Sequence, residues 1–182
     1  MRQPFAQVNK TDKAQTMEKD NKIDETTKKW ETVILNEGEG EKILFRIGLM
    51  TFKVSSSQTN DNFMICETDL PPEANVEPHS HPEAETFYIL EGEFTFLVDG
   101  LREPKICKKG AFVSVPPHVT HSFRNSGGRK GKIFGTMTPG GAAGLESLFR
   151  NFGVKVSDDD IIPDLNRPVE HLIQEINRLR NK

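Results

Sequence analysis

The stretch EPHSHPEAETFYILEGEF, Glu77 to Phe94, sets two histidines one residue apart and follows them with a carboxylate and a strand-like run. Residues i and i+2 of an extended chain point to the same side. His79 and His81 therefore face one way and Ser80 the other. Two imidazoles on one face can grip one metal ion. Pro82 breaks the strand pairing and opens a loop. Glu85 begins the next run and shares its direction with Phe87 and Ile89. If that direction is inward, Glu85 adds an oxygen ligand beside the two nitrogens. Gly92 supplies a tight turn that lets EFTFLV fold back.

A second cluster follows in GAFVSVPPHVTHSFRN, Gly110 to Asn125, which carries His118 and His121. The run AFVSV ends at Pro116-Pro117, the chain turns, and THSF begins another strand. Such a strand can bring His121 across to the first cluster. Four of the five histidines thus lie in two short segments at strand boundaries.

Around these clusters, from Trp30 to Pro139, short runs rich in β-branched and aromatic residues alternate with turn residues. They include TVIL, ILFRIG, MTFKV, FMICETDL, ETFYIL, EFTFLV and KIFGTM. Asp99-Gly100 is a hairpin signal, because a type I′ turn needs positive φ at both central positions. Many short strands with regular turns predict an antiparallel sandwich or barrel. Residues 1–29 are polar and charged and read as an arm. Residues 140–182 change period: LESLFRNFG predicts a short helix ended by Gly153. Val169, Leu172, Ile173, Ile176 and Leu179 then fall on one helical face after Pro168. The organisation is an arm at 1–29, a barrel at 30–139 and a helical extension at 140–182.

Composition narrows the class. The chain has 182 residues, 35% hydrophobic and 28% charged, with formal net charge -3. That charge is too mild for a nucleic-acid binder. No apolar run approaches the roughly 20 residues of a membrane helix, and the first residues lack a secretory signal. The expectation is a cytoplasmic protein with no nucleic-acid or membrane partner. Cys66 and Cys107 are far apart in sequence and read as small buried hydrophobes. Glu83 reads as a solvated loop residue, His171 as a surface residue, and Lys108-Lys109 as a solvated edge.

The two clusters resemble the signature motifs of the cupin superfamily. His79, His81, Glu85 and Gly92 match the first motif in spacing, and Gly110, Pro116, His121 and Asn125 match the second. The resemblance covers about residues 69–138. Two family glycines are replaced, one by Glu73 and one by His118. Histidine is among the non-glycine residues enriched at positive φ, so the second turn can survive. His118 either faces solvent or reaches into the pocket as a proton shuttle. The resemblance implies an all-β, jelly-roll barrel of roughly six to eight strands. It also implies a divalent metal held by His79, His81, Glu85 and His121.

Imidazole suits iron, nickel, copper and zinc, and carboxylate admits manganese. Without a thiolate ligand, Fe(II) or Mn(II) is favoured over Ni, Zn, Co or Cu. Four protein ligands on an octahedral ion leave two open positions for a small-molecule substrate and dioxygen or water. The ligand set and the trailing helix resemble quercetinase-like bacterial cupins. That implies a dioxygenase with Glu85 as catalytic base as well as ligand, and with Phe87, Phe94, Phe96 and Phe123 as candidate walls. The alternatives are a non-oxidative isomerase or lyase on the same site, and a non-catalytic binder whose pocket is plugged. EFTFLV carries apolar residues on both faces, which calls for an outer cover and points to a homodimer.

Overall fold

A computed structural model describes residues 30–141, 144–157 and 159–181. Eleven strands and two helices follow in chain order. The strands are β1 (Glu41–Phe45), β2 (Gly48–Val54), β3 (Met64–Leu70), β4 (Asn75–His79), β5 (Ala84–Glu91) and β6 (Glu93–Val98). Next come β7 (Lys105–Lys108), β8 (Phe112–Val115), β9 (His121–Asn125), β10 (Gly131–Thr138), helix α1 (Leu145–Phe152), β11 (Val154–Val156) and helix α2 (Glu170–Arg180). A seven-stranded sheet runs β11-β1-β2-β3-β10-β5-β8, and a four-stranded sheet runs β4-β9-β6-β7. The pairings are antiparallel. The two sheets enclose the core of a jelly-roll barrel, with the helices on the C-terminal side of the sequence.

Alternation makes the walls. In β5, Glu85, Phe87 and Ile89 are buried while Tyr88 stands outside at 42% exposure. In β6, Phe94 and Phe96 are buried and Leu97 is outside. These inward residues join Leu70, Val115 and Ile133 in one apolar cluster. Outside, Lys53, Lys130 and Lys132 pair with Glu67 and Asp69 along β2, β3 and β10, so that outer surface is a charged ladder.

Gly92 has φ of +87°, but it does not close a hairpin. Strands β5 and β6 belong to different sheets, and Gly92 passes the chain from one to the other. A Cβ there would stand 2.9 Å from Gly131 Cα, so the crossing needs the bare backbone. The turn at Asp99-Gly100 also differs from a type I′ hairpin. Gly100 takes φ of +91° while Asp99 is not among the positive-φ residues, and Leu101 N–H donates to Val98 C=O at 3.0 Å. This is the type II pattern, and β7 begins only at Lys105.

TVIL forms no strand. Ile34 is 89% exposed, and β-propensity without a partner strand does not make a strand. Conversely, β4 (NVEPH) was hidden by its proline and acid. It lies at the edge of the four-stranded sheet, where a missing N–H is tolerated. Strand β11 was equally hidden in the tail, and pairs Lys42 with Val156. The arm at 1–29 lies outside the described residues.

The helices form as their pattern predicts. His171 N–H donates to Pro168 C=O at 3.0 Å, opening α2, and Glu170 and Arg178/Arg180 sit at the ends that the helix dipole favours. Leu172, Ile176 and Leu179 bury against Leu44, Leu49, Val156 and Leu165. Helix α1 ends where Gly153 lets the backbone press on Ile43; a Cβ would meet its Cγ2 at 2.1 Å. Glu146 of α1 is buried, accepts Ser56 N–H at 2.8 Å and the Ser56 hydroxyl, and holds Arg150, which also pairs with Glu41 and lies over the Phe52 ring.

Leu172 is 1% exposed at the centre of the α2 contact. Leu172→Ala is expected to lower stability by about 2–5 kcal/mol in a urea titration. Ile173→Ala, on the half-exposed neighbouring position, is expected to cost less than about 1 kcal/mol.

Candidate metal centre

Three strands and one loop deliver the four side chains. His79 ends β4 and pairs directly with His121 at the start of β9. His81 follows in the loop, and Glu85 rises from β5 in the opposite sheet. One ligand atom from each of the four lies within 4.8 Å of the others. The imidazole centroids are 4.4 Å apart for His79 and His121, 5.1 Å for His81 and His121, and 5.5 Å for His79 and His81.

Glu85 is the hub. Its Oε2 lies 3.2 Å from His81 Nε2 and 3.1 Å from His121 Nε2. Two ligands each about 2.1 Å from one ion, a right angle apart, are about 3.0 Å from one another. The contacts match that edge. The other ring nitrogens are already engaged. His79 Nδ1 lies 2.8 Å from Glu77 C=O, and His121 Nδ1 lies 3.0 Å from Val119 C=O. A carbonyl only accepts, so each Nδ1 carries the proton. In the neutral His121 ring the lone pair then sits on Nε2, facing a carboxylate oxygen. A proton or a cation between them removes the repulsion. The residues fit a divalent metal ion.

Titration behaviour reports the same conflict. Burial works against the charge on Glu85, but hydrogen bonds from His121 and His81 outweigh it and hold the carboxyl below its ordinary range. Burial likewise opposes charge on His121, but Glu85 and the Val119 carbonyl raise its pKa. His79 is pushed down, mainly by burial.

The motif positions that are not ligands have separate tasks. Asn125 is fully buried; its Nδ2 donates to the carbonyls of Leu70, Pro71 and Arg129, each at 2.9 Å, and its Oδ1 accepts from Gly127 N–H. It ties the β3–β4 and β9–β10 loops together. Glu73 and His118, which stand in the two glycine places, adopt φ of +62° and +64°. The turns keep their left-handed backbone without glycine. The His118 residue is exposed, and its backbone N–H donates to His81 C=O at 2.8 Å, steadying the ligand loop.

Glu83 is not solvated. It is 4% exposed, and its Oε2 lies 3.3 Å from His81 Nδ1. Nothing local in the sequence marks its burial, which comes from Gly141 and Gly144, some sixty residues later.

His79 and Glu85 open onto a cavity of about 820 Å³. Phe87 and Phe123 line it, whereas Phe94 and Phe96 are sealed in the core at 0% and 1% exposure and do not. The walls that sequence reading missed come from Met50 of β2 and from Leu145 and Phe149 of α1. The apolar face of α1 was their signal. Cys66 also lines the cavity; burial, then the charge on Glu85, pushes its thiol up to about 12, so it is inert.

Residues 66–137 match the family described as Cupin domain. This part of the chain is a cupin domain. It is 31% identical over 121 residues to quercetin 2,3-dioxygenase of Bacillus subtilis (strain 168), covering 66% of this chain and 34% of that protein. It is 34% identical over 56 residues to the H2HPP isomerase of Bacillus subtilis, covering 31% of this chain and 23% of that one. The chain thus spans about a third or less of these curated relatives. Among solved structures, an RmlC-like cupin from Shewanella frigidimarina aligns with TM-score 0.52 at 23% identity, over 62% of this cupin and 94% of that chain. A predicted oxalate decarboxylase from Thermotoga maritima aligns with TM-score 0.53 at 21% identity, over 59% of this chain and 99% of that one. At these identities the structures share the fold.

A ligand that binds only the folded state stabilises it by about 2.7 kcal/mol when present at 100 times its Kd. Added Mn(II) or Co(II) is therefore expected to raise the melting temperature of metal-stripped protein. The doubly substituted His79→Ala/His121→Ala variant is expected to show no such rise.

Proposed function

We propose that this cupin is a metal-dependent dioxygenase acting on a small oxygenated compound with an aromatic, flavonol-like body. The observation that carries this reading is a three-histidine, one-carboxylate cluster opening on an apolar cavity of about 820 Å³. The similarity to quercetin 2,3-dioxygenase supports it. His79, His81, Glu85 and His121 would hold the ion, with Fe(II) or Mn(II) preferred because the donors are imidazole nitrogen and carboxylate oxygen without thiolate. When bound, such an ion supplies a Lewis acid for a substrate oxygen and a redox centre for dioxygen.

The chain's own residues do the rest. Phe87 and Phe123 offer faces for an aromatic ring, and Met50 and Phe149 add apolar wall. Both histidine contacts fall on Glu85 Oε2. This leaves Oε1 to take the proton of a substrate hydroxyl.

A second reading, a non-oxidative isomerase or lyase, draws on the similarity to the H2HPP isomerase. A pocket plugged by side chains would favour a non-catalytic binder, and this cavity is open. The proposal includes a cytoplasmic homodimer. Ile106 at 64% exposure and Leu97 on the paired strands β7 and β6, and Phe112 at 65% on the edge strand β8, are exposed apolar side chains that support an interface with a second copy.

Protein loaded with Fe(II) or Mn(II) is expected to consume oxygen when given a flavonol, and Glu85→Gln is expected to lose at least about 100-fold in rate. No uptake with any loaded metal would sink the oxidative reading, and turnover undiminished under strict anaerobiosis would select the isomerase or lyase. Light scattering is expected to give twice the 20.5 kDa chain mass; a monomeric mass rules the dimer out.

A further inference from the structure

We infer that Glu83 is a positioning residue for the metal centre: its carboxylate fixes the His81 ring in the Nδ1–H form and ties it to helix α1. The inference rests on the reading of the four-residue cluster as a metal site and adds a fifth side chain to its machinery.

The geometry around Glu83 is closed on every side. His81 Nδ1 and Glu83 Oε2 lie 3.3 Å apart, both are buried, and neither has a hydrogen-bond partner among the described residues, each other included. If Nδ1 carried no proton, two lone pairs would meet in a site without water. A proton on Nδ1 turns the contact into an attraction and leaves the lone pair on Nε2, the nitrogen that faces Glu85. His79 and His121 reach the same state through backbone carbonyls. His81 alone uses a carboxylate, a stronger acceptor that makes the ring a better donor to a metal.

Charge balance points the same way. A divalent ion held by Glu85 and three neutral rings leaves a surplus positive charge in a buried place, which is costly. The Glu83 carboxylate, one imidazole ring away, cancels it. The other oxygen, Oε1, faces the start of α1, 3.4 Å from Leu145 N–H. The positive end of the helix dipole favours an anion there. Gly141 and Gly144 make room for it: a Cβ on Gly144 would stand 2.2 Å from Oε1. The helix that walls the cavity therefore begins on the same carboxylate that steadies a metal ligand.

The test is a Co(II) titration of metal-stripped protein, followed by visible absorption. Nitrogen-15 NMR of the His81 ring and the melting temperature of the metal-free form accompany it. Glu83→Ala is expected to weaken Co(II) binding about 10–100-fold and to lose the fixed Nδ1–H state of His81. Glu83→Gln keeps an acceptor oxygen without the charge, so it is expected to retain the tautomer and fall between wild type and Glu83→Ala in affinity. Gly144→Ala, which displaces the carboxylate and leaves all four ligands intact, is expected to weaken binding in the same direction. Wild-type affinity and an unchanged His81 tautomer in folded Glu83→Ala would overturn the inference while leaving the metal site standing. A metal-free melting temperature that falls with unchanged affinity would overturn it too, reducing Glu83 to a packing role. Failure of the wild-type protein to bind Co(II) at all would overturn the metal site and this inference together.

Discussion

A single carboxylate oxygen, Glu85 Oε2, lies about three ångströms from two imidazole nitrogens in a place that water hardly reaches. Left to itself that arrangement is repulsive on the His121 side, because the other nitrogen of that ring already carries its proton against the Val119 carbonyl. It persists because the barrel over-determines it. Glu85 comes from the seven-stranded sheet and His79 and His121 from the four-stranded one, so the cluster exists only when the two sheets close on each other. The Phe87–Phe96–Phe123 ring contacts and the buried Asn125 hold that closure from below. The folding energy of the apolar core keeps polar groups where a cation is wanted.

The cluster itself was legible in the sequence because it is built from short-range rules. Alternation in a strand put His79 and His81 on one side, and the same rule put Glu85 with Phe87 and Ile89 on the buried face of β5. Helix periodicity found the buried face of α2 for the same reason. What escaped were features set by distant partners. Glu83 looks like any acid in a polar loop, and its burial depends on glycines near residue 141. Ile34 looks like a strand residue and has no strand to pair with. NVEPH lacks the β-branched and aromatic alternation of the other runs and still forms an edge strand, because an edge leaves one side of the backbone free of obligations. The left-handed turns at Glu73 and His118 were half legible: the places that want glycine were visible, and the backbone keeps its shape there with other residues.

The cavity divides its walls between two regions of the chain. The end nearest the metal cluster is lined by barrel residues such as Phe87 and Phe123, within the matched cupin domain. The rest of the lining includes residues between 145 and 180, among them Leu145, Phe149 and Ile176. The Glu146–Ser56 hydrogen bonds and the Arg150–Glu41 pair fasten α1 to the barrel rim, while α2 is held by apolar burial against β1, β2 and β11.

That partition separates two tasks that enzymes often entangle. Reactivity resides in a barrel whose donors are fixed by closure of the sheets, and fit resides in a clip-on tail that contributes no donor. Changes of residue along the tail beyond the first turn of α1, which touches Glu83, can then reshape what is admitted with little effect on the inorganic chemistry beneath. Lineages that share this barrel are free to diversify in appetite while conserving their reactive heart.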